Sequence, residues 1–239
     1  MDKKEKLWMS VILASGIALS GLCGGYFYYL SKTKTNFVTV KGLAELNVKA
    51  DLGIWNLKYT VLGNDLSVAQ NKMEKQQKLI VSFLQNKGFS SQEISIKRTE
   101  TNDIKANPYR SDNSSSERYI LTQNIQVTSS NVDLLDTTIN STGELIAKGI
   151  LFNDDYTPVS YLFTKINEVK PQMLKQATEN AKLAAEEFAK SSGSSVGKIH
   201  KANQGVFSIL PRYQTYNANE MNSIEKKVRV VSTIEYFLE

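Results

Sequence analysis

Residues 7–30 form an unbroken run of 24 uncharged, mostly apolar residues near the start of the chain, and the remainder is polar and mixed. A helix rises about 1.5 Å per residue, so the run spans roughly 36 Å, enough to cross a hydrocarbon core of about 30 Å. Lys3, Lys4 and Lys6 precede it, and no equally dense basic block follows. The positive-inside rule then puts the N-terminus in the cytoplasm and the bulk of the chain outside it. Tyr26, Phe27, Tyr28 and Tyr29 close the run, where amphipathic rings settle at a membrane–water interface. A cleaved signal peptide shares the basic start and apolar stretch, and Ala18-Leu19-Ser20 and Cys23-Gly24-Gly25 offer small residues at cleavage positions. Length and terminal aromatics favour an uncleaved anchor. Lipidation of Cys23 is rejected, because Leu22 stands where a small residue is needed. Ala14, Ala18, Gly21 and Gly25 give small-xxx-small spacings of the kind that lets transmembrane backbones approach.

Charge and cysteine usage narrow the function classes. The chain has 29 Lys+Arg against 24 Asp+Glu. Residues 1–35 hold five Lys and two acids, leaving 24 against 22, so a nucleic-acid role has no electrostatic support. The 204 residues from 36 onward suffice for one core or two small packed units. The one Cys lies in the apolar run, so the remainder has no disulfide and depends on its core.

Periodicity then predicts the elements. After a polar tether over residues 32–36, a strand starts at Phe37, and Trp55, Leu57, Tyr59 and Val61 alternate with polar residues as in a half-buried strand. Gly63-Asn64-Asp65 ends it and caps a helix. Leu66, Ala69, Met73, Ile80, Phe83 and Leu84 fall on one face of that helix, and Gly88 sits at its C-terminal end. Ile94 and Ile96 begin a strand, and Tyr119, Leu121, Ile125 and Val127 mark the next. A short helix is expected over residues 131–140, then extended structure with interruptions from Gly149 to about Phe163. A long helix follows, with Pro171 in its first turn or at a kink. Leu174, Ala177, Ala181, Ala184, Ala185 and Phe188 form its apolar stripe, and the alanines imply close packing, most simply on a sheet. Extended structure resumes over residues 196–209, and the final strand covers residues 228–238. The predicted class is α+β: an N-terminal transmembrane helix, then an antiparallel-sheet domain over residues 36–239 with two long helices, roughly β-α-β-β-α-β.

Several stretches together resemble the SIMPL domain family, a bacterial periplasmic group with distant eukaryotic relatives. They are Val38-Thr39-Val40-Lys41-Gly42 with Asp51 after it, the alanine-spaced helix over residues 177–189, Ser192-Gly193 through Gly197-Lys198-Ile199, and Val228-Arg229-Val230-Val231-Ser232-Thr233-Ile234. Tyr161-Leu162-Phe163-Thr164, Lys170-Pro171 and Ala202-Asn203-Gln204-Gly205-Val206-Phe207 are similar to its membrane-anchored branch. Ala44 and Ala50 depart from the pattern, where relatives often carry Gly and Pro. The resemblance implies an extracytoplasmic envelope protein that tends to self-assemble, with some members linked to oxidative-stress defence. It implies no catalytic residues.

The residues themselves point away from common chemistries. His200 is the sole histidine, and in an extended segment it reads as a strand residue rather than part of a triad. Asn153-Asp154-Asp155 reads as a turn, since a calcium loop needs several spaced ligands. Gly193-Ser194-Ser195-Val196-Gly197-Lys198 looks like a phosphate loop but runs from helix into strand, the reverse of the order that chemistry needs. Glu186 and Glu187 point about 100° apart on a helix and do not share a site. No catalytic residue, metal or cofactor is expected. Two polar loops, residues 106–118 and 211–224, carry the candidate interface residues Tyr109, Arg110, Arg212, Tyr213 and Tyr216, a mixture common in interfaces; flexible hairpin tips are the alternative. The expected partners are a lipid bilayer around residues 7–30 and further copies of the chain, in a bacterial inner membrane with the domain in the periplasm. The alternative is a monomeric anchored adaptor that grips a peptide, glycan or envelope protein through the two loops.

Overall fold

The computed structural model describes residues 3–33, 36–106, 117–153, 159–216 and 218–239. In chain order the elements are α1 (Lys3–Thr33), β1 (Phe37–Lys49), β2 (Leu52–Gly63), α2 (Leu66–Asn86), β3 (Ile94–Ile96), β4 (Glu100–Asp103), a 3-10 turn (Ile104–Ala106), β5 (Tyr119–Ser129), α3 (Val132–Ile139), α4 (Gly143–Ile146), β6 (Leu151–Phe152), β7 (Val159–Leu162), α5 (Ile166–Ser191), β8 (Val196–Gln204), β9 (Ser208–Pro211) and β10 (Glu225–Leu238). The four longest strands and two long domain helices match the elements with the strongest periodic signal. Within α1, Leu7–Tyr29 has a mean hydropathy of 1.8 and is wholly exposed, as befits a single-pass anchor or a signal sequence.

The chain divides into two compact units. The first comprises residues 1–44, 172–206 and 230–239. Its sheet has the order β1-β10-β8, with α5 packed on it. Val40, Ala181, Ala185, Ile234 and Tyr236 form its core. The buried ridge of α5 is Met173, Ala177, Ala181, Ala185 and Ala189, a strict four-residue spacing. A Cβ on Gly42 of β1 would overlap the Ala177 carbonyl and the backbone of Ala181, so helix and strand touch backbone to backbone. Asn180 Nδ2 seals the contact by donating to Leu43 O at 2.7 Å. The alanines therefore pack on a sheet as expected, but Phe188 does not join them: it is 62% exposed. It lies one position, about 100°, from Ala189, and a ridge of methyl groups this close to a sheet leaves no room for a ring beside it. Leu174 is only half-buried. Pro171 stands inside the helix, in its second turn rather than its first.

The second unit comprises residues 45–171 and 207–229. Its sheet runs β3-β5-β2-β6, with β4 also on β5 and β7 also on β2. β2 and β5 pair antiparallel over eleven positions, from Gly53↔Ser129 to Gly63↔Tyr119. Period-two alternation sends Trp55, Leu57, Tyr59 and Val61 to one face with Leu121, Ile125 and Val127. Ala69, Met73, Ile80, Phe83 and Leu84 of α2 cover that face, joined by Leu135 and Leu145. Leu66, expected in the same stripe, opens the helix and is 44% exposed. Asp65 caps α2 by accepting from Ser67 N and Val68 N, and Gly88 after it has φ +108°, both as the sequence predicts. Asn131 caps α3 in the same way. Two polar side chains stand inside this core: Tyr59 Oη donates to Gln123 Oε1 at 2.5 Å, and Gln123 is 5% exposed.

Candidate functional site

The segment from Arg212 to Ile224 joins β9 to the first residues of β10, which lie with β9 in the second unit. Its base is built rather than loose. Tyr161 N donates to Met221 O at 2.7 Å, Ala50 N to Ile224 O at 2.9 Å and Arg212 N to Glu225 O at 3.0 Å. Asn219 and Asn222 bond each other reciprocally, each backbone N–H donating to the other's side-chain oxygen at 3.0 and 2.9 Å. Asn side chains that take over backbone donors in this way hold a turn without secondary structure.

Beneath the turn lies a lysine that the apolar pattern conceals. Lys226 is fully buried, and its Nζ donates to Glu220 O. Burial pulls its pKa below the ordinary lysine value, and the nearby Glu220 charge only partly offsets that. Its position was readable: Val228, Val230, Ser232, Ile234 and Tyr236 face inward at alternate positions of β10, and Lys226 continues the phase.

On this base stands an exposed tip. Tyr213 is 68% exposed and Tyr216 entirely so. The Arg212 guanidinium lies 5.3 Å from the centroid of the Tyr213 ring and pairs with Glu225 Oε2 at 3.4 Å, which orients it beside the ring. Arg212 and Tyr213 are thus brought together, with Tyr216 exposed three residues further along the same segment. Tyr109 and Arg110 lie outside the described residues, as do Asp154 and Asp155 of the predicted turn.

The remaining candidates are dispersed. Ala14, Ala18, Gly21 and Gly25 follow a four-three-four spacing along one face of α1, all exposed, and a Cβ on Gly21 or Gly25 would meet nothing within 4 Å. His200 is in β8, its ring centroid 4.6 Å from that of Phe237 and 5.5 Å from that of Phe37, and its Nδ1 is 3.2 Å from Glu235 Oε2. Gly193 has φ +70° between α5 and β8, a helix stop as read. Among the described residues, no three His, Cys, Asp or Glu side chains converge to hold a metal.

Sequence reasoning did not anticipate a long-range clasp in the second unit. Asp51 Oδ1 accepts from Thr164 N at 2.8 Å and Oδ2 from Thr164 Oγ1 at 3.1 Å, while Asp51 N donates to Leu162 O. Two stretches quoted for the family resemblance, more than a hundred residues apart, therefore meet, and their pairing fixes where β7 leaves the sheet. Ala44 and Ala50, the departures from the pattern, are both buried.

A comparison with curated proteins found no match. A family model for SIMPL, described as a protein of unknown function (DUF541), matches residues 38–235, nearly everything beyond the apolar helix. The chain belongs to the SIMPL family.

Proposed function

We propose that this chain is a non-enzymatic, membrane-anchored module of the bacterial cell envelope that works by assembling with copies of itself. The observation that supports it is the sheet of the first unit. With the order β1-β10-β8, both outer strands lack a second neighbour among the described residues, and β1 is 13 residues long. An open edge of that length is a template for pairing, and association between copies satisfies it. Lys3, Lys4 and Lys6 ahead of the apolar run support a cytoplasmic N-terminus and a periplasmic domain. Any protection from oxidants would be indirect, since beyond the C-terminal end of α1 the sulfur side chains are Met73, Met173 and Met221; catalase-like turnover by the purified protein would overturn this. The deciding experiment is the native mass of the full-length protein in mild detergent, by light scattering on a sizing column. A discrete multimer is expected, and a monomer at all accessible concentrations overturns the proposal.

A second reading, an anchored adaptor, is favoured by one feature: the Tyr213–Tyr216 tip is exposed on a base held by five sets of hydrogen bonds. Pre-ordered aromatic side chains bind at low entropic cost. Replacing Tyr213 and Tyr216 by Ser separates the readings. The oligomeric state is unchanged under both, and only the adaptor reading expects loss of a captured envelope partner.

A further inference from the structure

The sheet of the second unit has a polar outer face opposite its core. One depression of about 350 Å³ on that face is lined by Lys58 of β2, Lys97, Arg98, Glu100, and Thr122 and Asn124 of β5. Strand alternation alone would not gather these residues. Ile96 pairs with Ile125 and Glu100 with Thr122, so four steps on the edge strand are matched by three on β5. The extra residue is a β-bulge over residues 97–100. Lys97 N still donates to Asn124 O at 2.9 Å, which keeps Lys97 in register on the outer face. Glu100, three residues on, would face the other way in a regular strand; the bulge returns it to the outer face, and Arg98 is carried to the rim.

The bulge is held from inside. Gln123 Nε2 donates to Lys97 O at 3.1 Å, and the same side chain accepts the Tyr59 hydroxyl. Two polar side chains buried in an apolar core, at a cost in desolvation, thus fix the carbonyl beside the depression. The floor is also polar. Asn56 Oδ1 accepts from Asn124 Nδ2 at 3.2 Å and Gln126 Nε2 at 3.1 Å, and Thr60 and Thr122 hydroxyls are 3.4 Å apart. Asn124 Oδ1 is buried and has no hydrogen-bond partner. Lys97 and Arg98 enter no ion pair among the described residues.

We propose that this depression binds an acidic saccharide, its carboxylate or phosphate between Lys97 and Arg98 and its hydroxyls on Thr122 and Glu100. Lys97 and Arg98 against the one Glu100 carboxylate select a net negative ligand over a zwitterion. The Thr122 hydroxyl and the Glu100 carboxylate accept hydrogen bonds, which hydroxyls supply and a bare anion does not. The volume lies within the range of small-ligand sites. The proposal stands apart from self-assembly and from the Tyr213–Tyr216 tip, since it uses neither.

The test is ligand-observed NMR titration of full-length protein in detergent micelles with galacturonate, galactose, glutamate and inorganic phosphate. Saturable binding of galacturonate is expected, weakened by added salt and tighter than any of the other three. The double substitution Lys97→Gln/Arg98→Gln is expected to weaken it by roughly tenfold or more. Glu100→Gln is expected to tighten it, because a like charge is removed while an acceptor remains; misfolding cannot imitate that gain. No galacturonate binding, equal binding of phosphate or glutamate, or indifference to all three substitutions each overturns the proposal.

Discussion

Lys226 shows how one side chain can set a pH dependence without taking part in chemistry. Its folded-state pKa is depressed by burial, while the unfolded chain titrates near 10.5. Below the folded pKa both states hold the proton, and the fold carries the penalty of a buried ammonium. As pH rises from the depressed value toward 10.5 the folded state loses its proton first, so stability increases across that window. Lys226→Met is expected to abolish this alkaline gain while leaving stability at neutral pH within about 1 kcal/mol of the parent, because the lost bond to Glu220 O is offset by relief from desolvation. Urea unfolding at a series of pH values reads both effects. At this scale the sequence was partly legible. The inward phase of Val228, Val230 and Ile234 includes Lys226 by simple counting. The pairing of Asp51 with Thr164 was not visible, since nothing local marks a hydrogen bond between residues so distant in the chain.

Among the elements, α2 and α5 illustrate when periodicity suffices. α2 meets its sheet with ordinary side chains, and its stripe from Ala69 to Leu84 is the one the spacing predicts. α5 meets its sheet through alanine methyl groups, which narrows the buried ridge to one residue per turn and leaves Phe188 outside. A hydrophobic residue adjacent to a stripe is therefore a weak guide when the stripe is built of small residues. The bulge over residues 97–100 was likewise hidden, because Ile94 and Ile96 signal a strand but not where its register breaks. The N-cap of α2 yields a second prediction. The Ser67 hydroxyl, then the Val68 and Ser67 amides, hold the Asp65 carboxyl below its usual pKa. Its contribution is present above the unfolded value and is lost as pH falls through the depressed one. Asp65→Ala should lower the melting temperature at pH 7, and the difference from the parent should close on acidification, as followed by circular dichroism.

For the whole molecule, the proposed self-assembly raises the question of which surface would hold copies together. Under that proposal the open edges of β1 and β8 and the small-residue face of α1 would be separate means of association. Gly21→Leu/Gly25→Leu fills the helix face without touching the domain. If the edges carry assembly, the native mass in mild detergent is expected to be unchanged by this substitution; dissociation to monomers would assign assembly to the membrane helix instead.

α1 stops at Thr33 and β1 starts at Phe37. Even fully drawn out, so few residues reach about 14 Å. For an anchored chain this is a short leash. The first strand cannot roam far above the bilayer, so under the proposed self-assembly copies would meet by diffusing in a plane at a shared height. Lengthening the link would return the freedom of height that the present spacing removes.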